Sequence, residues 1–406
     1  MAMQLVSCRK GYRNETHRAV SPEETLARIA GKLPIAGITR VADITSLDRV
    51  GIPVFSSIRP TAGTGAISVY NGKGATPTEA RVSAMMEGIE RYSAEVHDRE
   101  VVIAPYSEMA AEGDAVDPAA LCLPRYADPD RPLPWVSGYD IAQDAPVFVP
   151  AHAVFHPLPR TCPPLFRTNT NGLASGNTRE EAIFHALAEI VERDAWSLVE
   201  ATRRPGPAVT DIPDGIAADL LQKFHDANVA VGIRDITSDL GIPTFAAVSD
   251  DTMLKDPRLL TIGMGTHTSA RVALLRALTE VAQSRLTQIH GAREDTTEGD
   301  VRAMIGYERA KRMNRYWFEA QDEVAFGTIP TLESDDFLTD IRAVIGALER
   351  AGLRQVVAVD LTREEIGVPV VRVIVPGLEM YAMDRERIGQ RCRDAADRHR
   401  LSRTKS

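Results

Sequence analysis

The sequence predicts an α/β (α+β) fold in which duplicated strand–helix units surround a central cleft. Three observations lead there. Strand-like and helix-like segments alternate along most of the chain, three of the helical segments repeat one another, and no linker-like stretch divides the 406 residues. A chain of this length holds two or three average domains or one large unit built from duplicated parts, and the missing linker favours the second. The expected organisation is an N-terminal helix and strand region over 1–60, a single interwoven core over 61–385 and a basic tail over 386–406.

Taken in order, residues 21–32 read as a helix with Ser21 as N-cap and Pro22 at the first position. Strand-like runs follow at 51–58 and 65–70, the second leading through Asn71-Gly72-Lys73-Gly74 into the first repeat helix. Residues 101–165 read as short strands and Pro-rich loops, with 147–149 the clearest strand. The second repeat helix is expected over 179–202, then a helix at 215–228 and strands at 229–234, 244–248 and 259–264 before the third. Helices at 299–320 and 336–351 and strands at 355–360 and 368–375 complete the core, and the last residues, RHRLSRTKS, are expected to fray.

The repeats are GATPTEARVSAMMEGIER (Gly74–Arg91), GNTREEAIFHALAEIVER (Gly176–Arg193) and, more weakly, TSARVALLRALTEVAQS (Thr268–Ser284). Aligned, Glu87 meets Glu189 and Glu280, and Ala84 meets Ala186 and Ala277. Glu90-Arg91 meets Glu192-Arg193, where the third copy carries Gln283-Ser284. Glutamates three apart share a helix face, so two copies each present a carboxylate pair whose repulsion calls for a cation between them. An ExxER run on its own is most simply a solvated face. Here the second helix is apolar around much of its circumference, through Ile183, Phe184, Leu187, Ile190 and Val191, and buried glutamates are rare unless paired or coordinating.

Composition narrows the function classes. With 44% hydrophobic and 25% charged residues the chain reads as an ordinary soluble enzyme, and a net charge of −9 argues against nucleic acid as a partner. No apolar run reaches membrane-spanning length, and the first residues lack the apolar core of a signal peptide. Cys8, Cys122, Cys162 and Cys392 are scattered without CxxC spacing, which suits a reducing, cytoplasmic setting and gives no zinc or iron–sulfur signature. Both strong repeats open on Gly-X-Thr, after NGKG and NGLASGN. These loops match neither the P-loop nor the dinucleotide fingerprint. Glycine-rich turns at helix N-termini let backbone N–H groups approach anions, and ahead of carboxylate pairs they suggest a nucleotide whose phosphates are bridged by Mg²⁺.

The run FSSIRPTAGTGAISVYNGKGATPTEARVSAMMEGIERYSAE (Phe55–Glu95), followed by NGLASGNTREEAIFHALAEIVERDAWS (Asn171–Ser197) and RALTEVAQSR (Arg276–Arg285), strongly resembles the YcaO family, over about Arg40 to Tyr381. The resemblance implies a YcaO-type fold whose helices line an ATP/Mg²⁺ cleft, and activation of peptide amide carbonyls by phosphorylation of the oxygen. It implies metal ligands at Glu87, Glu90, Glu189 and Glu192, nucleotide contacts at Asn177, Glu181, Glu189, Arg193, Arg276 and Glu280, and catalytic roles for Glu87, Glu189, Arg193 and Arg276. Arg18 and Thr25 correspond to an N-terminal cation and hydroxyl that touch nucleotide in the family.

Within it, GYRNETHRAVSPEETL (Gly11–Leu26), GITRVADITSLDRVGIPVFSSIRP (Gly37–Pro60) and VPVVRVIVPGLEMYAMDRERIGQR (Val368–Arg391) look most like the branch that works with a TfuA protein. That branch includes proteins that install a thioamide on a glycine of methyl-coenzyme M reductase. The sequence ends in SRTKS rather than a Pro-rich tail and carries no fused leader-binding segment, which favours thioamidation over azoline formation. The expected partners are therefore a TfuA-like protein, a peptide or protein substrate and a sulfide donor, and the expected assembly is a homodimer. Alternatives are an azoline- or amidine-forming cyclodehydratase and a non-catalytic ATP-binding accessory protein. No side-chain nucleophile is required: His152 and His156 near Cys162, His185, Cys8 and the three tryptophans read as structural, and His267 as a helix cap.

Overall fold

The computed structural model describes residues 3–97, 99–159, 164–292 and 297–403. Ser21 accepts the Glu24 N–H and starts α1 (Pro22–Ile29). β1 (Arg40–Asp43), β2 (Val54–Ile58) and β3 (Val69–Lys73) make an antiparallel three-stranded sheet. The sequence does not announce β1, because the strand is half exposed and lacks apolar alternation. β3 lies later than the predicted 65–70, since Gly65 occupies the left-handed region and the chain only becomes extended beyond Ser68. Thr76 and Glu79 close a reciprocal capping box that starts α2 (Pro77–Ser93).

The middle of the chain runs through β4 (Val102–Ala104), α3 (Tyr106–Glu112), β5 (Leu133–Asp140), β6 (Ala145–Pro150), α4 (Ala151–Val154) and β7 (Leu173–Ser175) into α5 (Arg179–Thr202). Then come β8 (Ala208–Thr210), α6 (Ile216–Asp226), β9 (Ala230–Asp235), β10 (Thr244–Asp250), β11 (Thr261–Thr266) and α7 (Ala270–His290). Three helices, α8 (Thr297–Ile305), α9 (Tyr307–Met313) and α10 (Arg315–Phe318), replace the one predicted over 299–320, because Gly306 at φ 82° and Asn314 interrupt the run. β12 (Glu323–Ala325), α11 (Phe337–Arg350), β13 (Val357–Asp360), β14 (Val370–Ile374) and α12 (Gln390–Arg403) follow. α12 packs on α5, tied by Arg391 to Asp194 at 2.8 Å, and runs into the basic end expected to fray, of which residues 404–406 lie outside the described residues.

The three repeats are three strand–helix units: β3–α2, β7–α5 and β11–α7. Each repeat strand is the edge of a different sheet, in the orders β1-β2-β3, β4-β5-β13-β14-β7 (with β6 beside β5) and β11-β10-β9-β8-β12. Each helix packs on its own strand and also on the next unit's: α2 on β7, α5 on β11 and α7 on β3. The units therefore close into a ring. Small residues permit the close approach. A Cβ on Gly72 would lie 1.9 Å from the Ala84 nitrogen, and one on Gly265 2.5 Å from the Ala277 nitrogen. Ala174 and Ala186 occupy the corresponding positions of the second repeat, separated by the same twelve-residue step in the sequence.

α5 is the axle of the molecule. Its Ile183, Phe184, Leu187, Ile190 and Val191 are buried against β14 and α11, each such side chain stabilising the fold by about 2 kcal/mol. A second cluster around Met85, Ile89, Trp135 and Val357 lies under α2, and a third joins α6, α7 and β10. Among the described residues no helix is long and apolar enough to cross a membrane.

Candidate functional site

The ring gathers most of the sequence-predicted residues at its centre. On α2, Glu90 accepts the Ser175 N–H at 2.8 Å and hydroxyl at 3.2 Å, bridging to β7, while Glu87 takes the Arg91 guanidinium at 3.0 Å. On α5, Arg193 stands 3.6 Å from Glu192 and 3.9 Å from Glu189. On α7, Glu280 pairs with Lys73 of β3 and accepts the Met264 N–H at 3.4 Å. Gln283, which replaces the third Glu, donates to the Asn71 carbonyl at 2.7 Å, so this joint is neutral where the first is charged.

Crowding of like charges in a low dielectric sets the electrostatics. Burial, reinforced by Glu87 and Glu189, pushes Glu90 up to about 8. Burial with Glu192 nearby pushes Glu189 up to about 7 against the pull of Arg193. Glu192 is raised by burial and by Glu280, whereas Glu280, although burial opposes it, is held down by Lys73 and Arg193. Burial is the main cause of the raised values, and the neighbouring glutamates add to it against the pull of the arginines.

Individual atoms agree. Glu192 Oε2 is buried without a partner; Thr266, which occupies on β11 the place of Ser175, gives its hydroxyl to Thr244 instead. Arg276 Nε is likewise buried and unpartnered, and the side chain bears electrostatically on Arg18, Glu192 and Glu280. Unsatisfied carboxylate oxygen and guanidinium side by side fit a divalent cation with an anionic oxygen ligand. Among the described residues no three carboxylate, imidazole or thiol groups stand close enough to hold a metal by themselves.

A second group of predicted residues forms one network at the start of α5. Thr25 donates to Asn177 Oδ1 at 3.0 Å, and Asn177 donates to Glu181 at 3.3 Å. Glu181 also accepts the Ala19 N–H at 2.9 Å and lies 3.7 Å from Arg18. The glycine-loop expectation needs correction at α2. There the Ala75 and Thr76 N–H groups already donate to Glu79, at 3.1 and 3.3 Å, so the capping box has used donors meant for phosphate. Glu181 occupies the same helical position on α5 but bonds to Ala19 and Asn177 instead. His267 does cap, accepting the Ser269 N–H at 2.9 Å.

Several residues at the site are invisible to sequence reasoning. Lys73 reads as part of a glycine turn, yet supplies the cation to Glu280. Ser175 has no motif beyond its place opposite Lys73 in the repeat. Arg372, from β14, is buried with Nη1 unpartnered and acts on Glu189 and Glu90; burial lowers it to about 10. His185 touches Arg18. Away from the centre, burial lowers His152 and His156 to about 4, and Cys162 lies outside the described residues. Cys8 meets Thr178 Oγ1 at 3.3 Å, and burial raises its thiol, which is not the state of a reactive sulfur.

This arrangement has relatives. The model of the family described as YcaO cyclodehydratase, ATP- and Mg²⁺-binding, matches residues 71–379. An uncharacterized protein of Methanothermobacter thermautotrophicus is 52% identical over 93% of this chain and 99% of its own length. A protein encoded in the tfuA 3′ region of Rhizobium leguminosarum bv. trifolii is 35% identical over 94% of this chain and 93% of its own. The solved structure of YcaO from Methanopyrus kandleri bound with AMPPCP and Mg²⁺ superposes with a TM-score of 0.79 at 32% identity, covering 94% of this chain and 98% of that one. The carboxylate ring, its unsatisfied guanidinium and these likenesses together place the chain in the YcaO family of ATP-dependent, amide-activating proteins.

Proposed function

We propose that this chain is an ATP-dependent thioamide synthetase that replaces a peptide backbone oxygen with sulfur, on a glycine of methyl-coenzyme M reductase and with a TfuA-like partner. The observation that carries the finer assignment is the relative from the tfuA 3′ region, supported by the methanogen relative. The site supplies the coarser one.

In this reading Mg²⁺ would be held by carboxylates from the set Glu87, Glu90, Glu189 and Glu192, no three of which stand together as the chain is folded here, and Glu192 Oε2 is the oxygen without a partner. Mg²⁺ when bound neutralises charge on the phosphoryl oxygens and fixes their orientation. Arg193 and Arg276 add permanent positive charge, because guanidinium stays protonated and grips phosphate as a fork. Lys73 keeps Glu280 ionised beside them. Arg18, Thr25, Asn177 and Glu181 hold the nucleotide at the N-terminus of α5. An amide carbon is a weak electrophile with a poor leaving group. Hydrosulfide adds to it, the resulting oxyanion attacks the γ-phosphorus and ADP departs; phosphate then leaves with the former carbonyl oxygen and takes up the S–H proton as hydrogen phosphate, giving C=S. The protein's contribution is in-line placement and charge neutralisation.

The family description names cyclodehydratases, which favours a second reading: the same ATP chemistry with an internal nucleophile, yielding an azoline or amidine. Intact mass of a glycine-containing methyl-coenzyme M reductase peptide, incubated with the chain, a TfuA partner, Mg·ATP and sulfide, separates the readings. Replacement of one oxygen by sulfur with stoichiometric phosphate supports thioamidation; loss of one water identifies the cyclodehydratase. Nucleotide binding without peptide-dependent phosphate release would mark a non-catalytic accessory protein.

A further inference from the structure

We propose that His185 is a positioning residue that aims Arg18 at the nucleotide, acting as a neutral hydrogen-bond acceptor beneath the guanidinium; the inference rests on the nucleotide-site reading of Arg18.

Arg18 ends a tight N-terminal hairpin in which Tyr12 and Arg18 exchange backbone bonds at 3.0 and 2.9 Å. Its side chain is 30% exposed, and a long, rotamer-rich chain in that state is costly to immobilise. It has few anchors. Nη1 donates to the His17 carbonyl at 3.1 Å and to His185 Nε2, and Nε lies 3.7 Å from Glu181, beyond direct bonding. Glu181 is itself held by Ala19 and Asn177. His185 is thus the side chain that fixes the fork. It lies one turn after Glu181 and one turn before Glu189, on the stripe of α5 that joins the nucleotide network to the carboxylates.

The donor inventory fixes the proton. Arginine has no acceptor, so the ring nitrogen that receives Nη1–H carries a bare lone pair; Nε2 is the nearer, with Nδ1 at 3.4 Å, and the ring is neutral. Burial, then the nearby Arg18 and Arg276, push its pKa well below the usual imidazole range, consistent with that geometry. Phe184 and Phe337 hold the ring with centroids at 5.5 and 6.2 Å.

The floor below is neutral as well. Lys10 donates to Asp340 at 2.6 Å, to the Ser334 carbonyl at 2.9 Å and to His17 Nδ1 at 3.2 Å. All three ammonium protons are committed, so His17 Nδ1 accepts and its hydrogen sits on Nε2, 3.3 Å from a Glu333 Oε2 that takes no hydrogen bond. His267 packs edge-on against both His17 and Phe184. The buried ion pair and three uncharged rings form a rigid platform.

The test is calorimetric affinity for Mg·AMPPCP in the full-length chain. Relative to wild type, His185→Ala and His185→Phe, which keeps an aromatic ring against Phe184 and Phe337, are expected to weaken binding about tenfold. His185→Gln, whose amide oxygen reaches the Nε2 position, is expected to restore it to within about threefold; His185→Asn, which reaches only the Nδ1 position, is not. In an Arg18→Ala background His185→Phe should cost nothing further. Independent, multiplying losses for Arg18→Ala and His185→Phe, equal weakness of the Gln and Asn variants, or wild-type affinity in His185→Phe would each overturn the role. If wild type itself failed to bind Mg·AMPPCP, the nucleotide-site reading would fall and take this inference with it.

Discussion

At the residue scale the site is a set of carboxylates taken out of water. Glu90 at about 8 and Glu189 at about 7 retain protons in the metal-free folded chain, whereas their ordinary value is 4.5. Between pH 4.5 and about 8 the folded state therefore binds more protons than the unfolded state, so the stability these groups contribute is present on the acid side and is lost as pH rises. Thermal melts of metal-free protein should accordingly shift down from pH 5.5 to 8.5, and the Glu90→Gln/Glu189→Gln double variant should flatten that slope. Mg²⁺ must displace the same protons, so its affinity should climb across this window, with proton release measurable by calorimetry in buffers of different ionisation enthalpy. Glu189→Gln should lower ATP turnover by about a hundredfold or more while leaving circular dichroism unchanged; unaltered turnover would remove Glu189 from the site.

At the element scale the repeats are what the sequence makes legible. α5 begins and ends where the pattern places it, because Thr178 caps it and its apolar circumference demands burial. The acidic positions can be read because identical spacing recurs on three helices. What could not be read lies on the partner surfaces: Lys73, Ser175 and Arg372 come from strands of two different sheets, whose side chains meet the helices only after those sheets have formed. The capping box of α2 hides for a related reason, since the threonine of one GxTxxE pattern caps both helices while its glutamate turns back on the cap of α2 and tethers the N-terminal segment at α5. Close strand–helix contact has a direct test. Gly72→Ala would drive a methyl group into the α2 backbone, and chemical denaturation should show a loss of about 3 kcal/mol; a loss below about 0.5 kcal/mol would mean that the backbone yields there.

At the scale of the whole molecule, distant segments are stapled through buried charge. Arg285 of α7 binds Asp48 at 2.8 Å and Asp251 at 3.1 Å, joining the loop after β1 to the turn after β10. Removing one member of such a group strands the others, so Arg285→Met should cost about 3–5 kcal/mol, measured by urea unfolding; near-neutrality would show that water repairs the gap. α12 fastens α5 from the other side through Arg391, Asp194 and Asp239, and its amphipathic signal is too weak for sequence reasoning to detect among so many charges.

The ring of units carries a kinetic corollary. An edge strand usually exchanges its amide hydrogens early, because one side of it is unpaired and opens without disturbing the rest of the sheet. β3, β7 and β11 are all edges, yet each is clamped between its own helix and the preceding unit's. Releasing one clamp loosens the next, so the amides lining the cleft should exchange only through opening of the entire ring, with a shared protection factor, and hydrogen–deuterium exchange should find the slowest amides of the protein at the rims of its sheets.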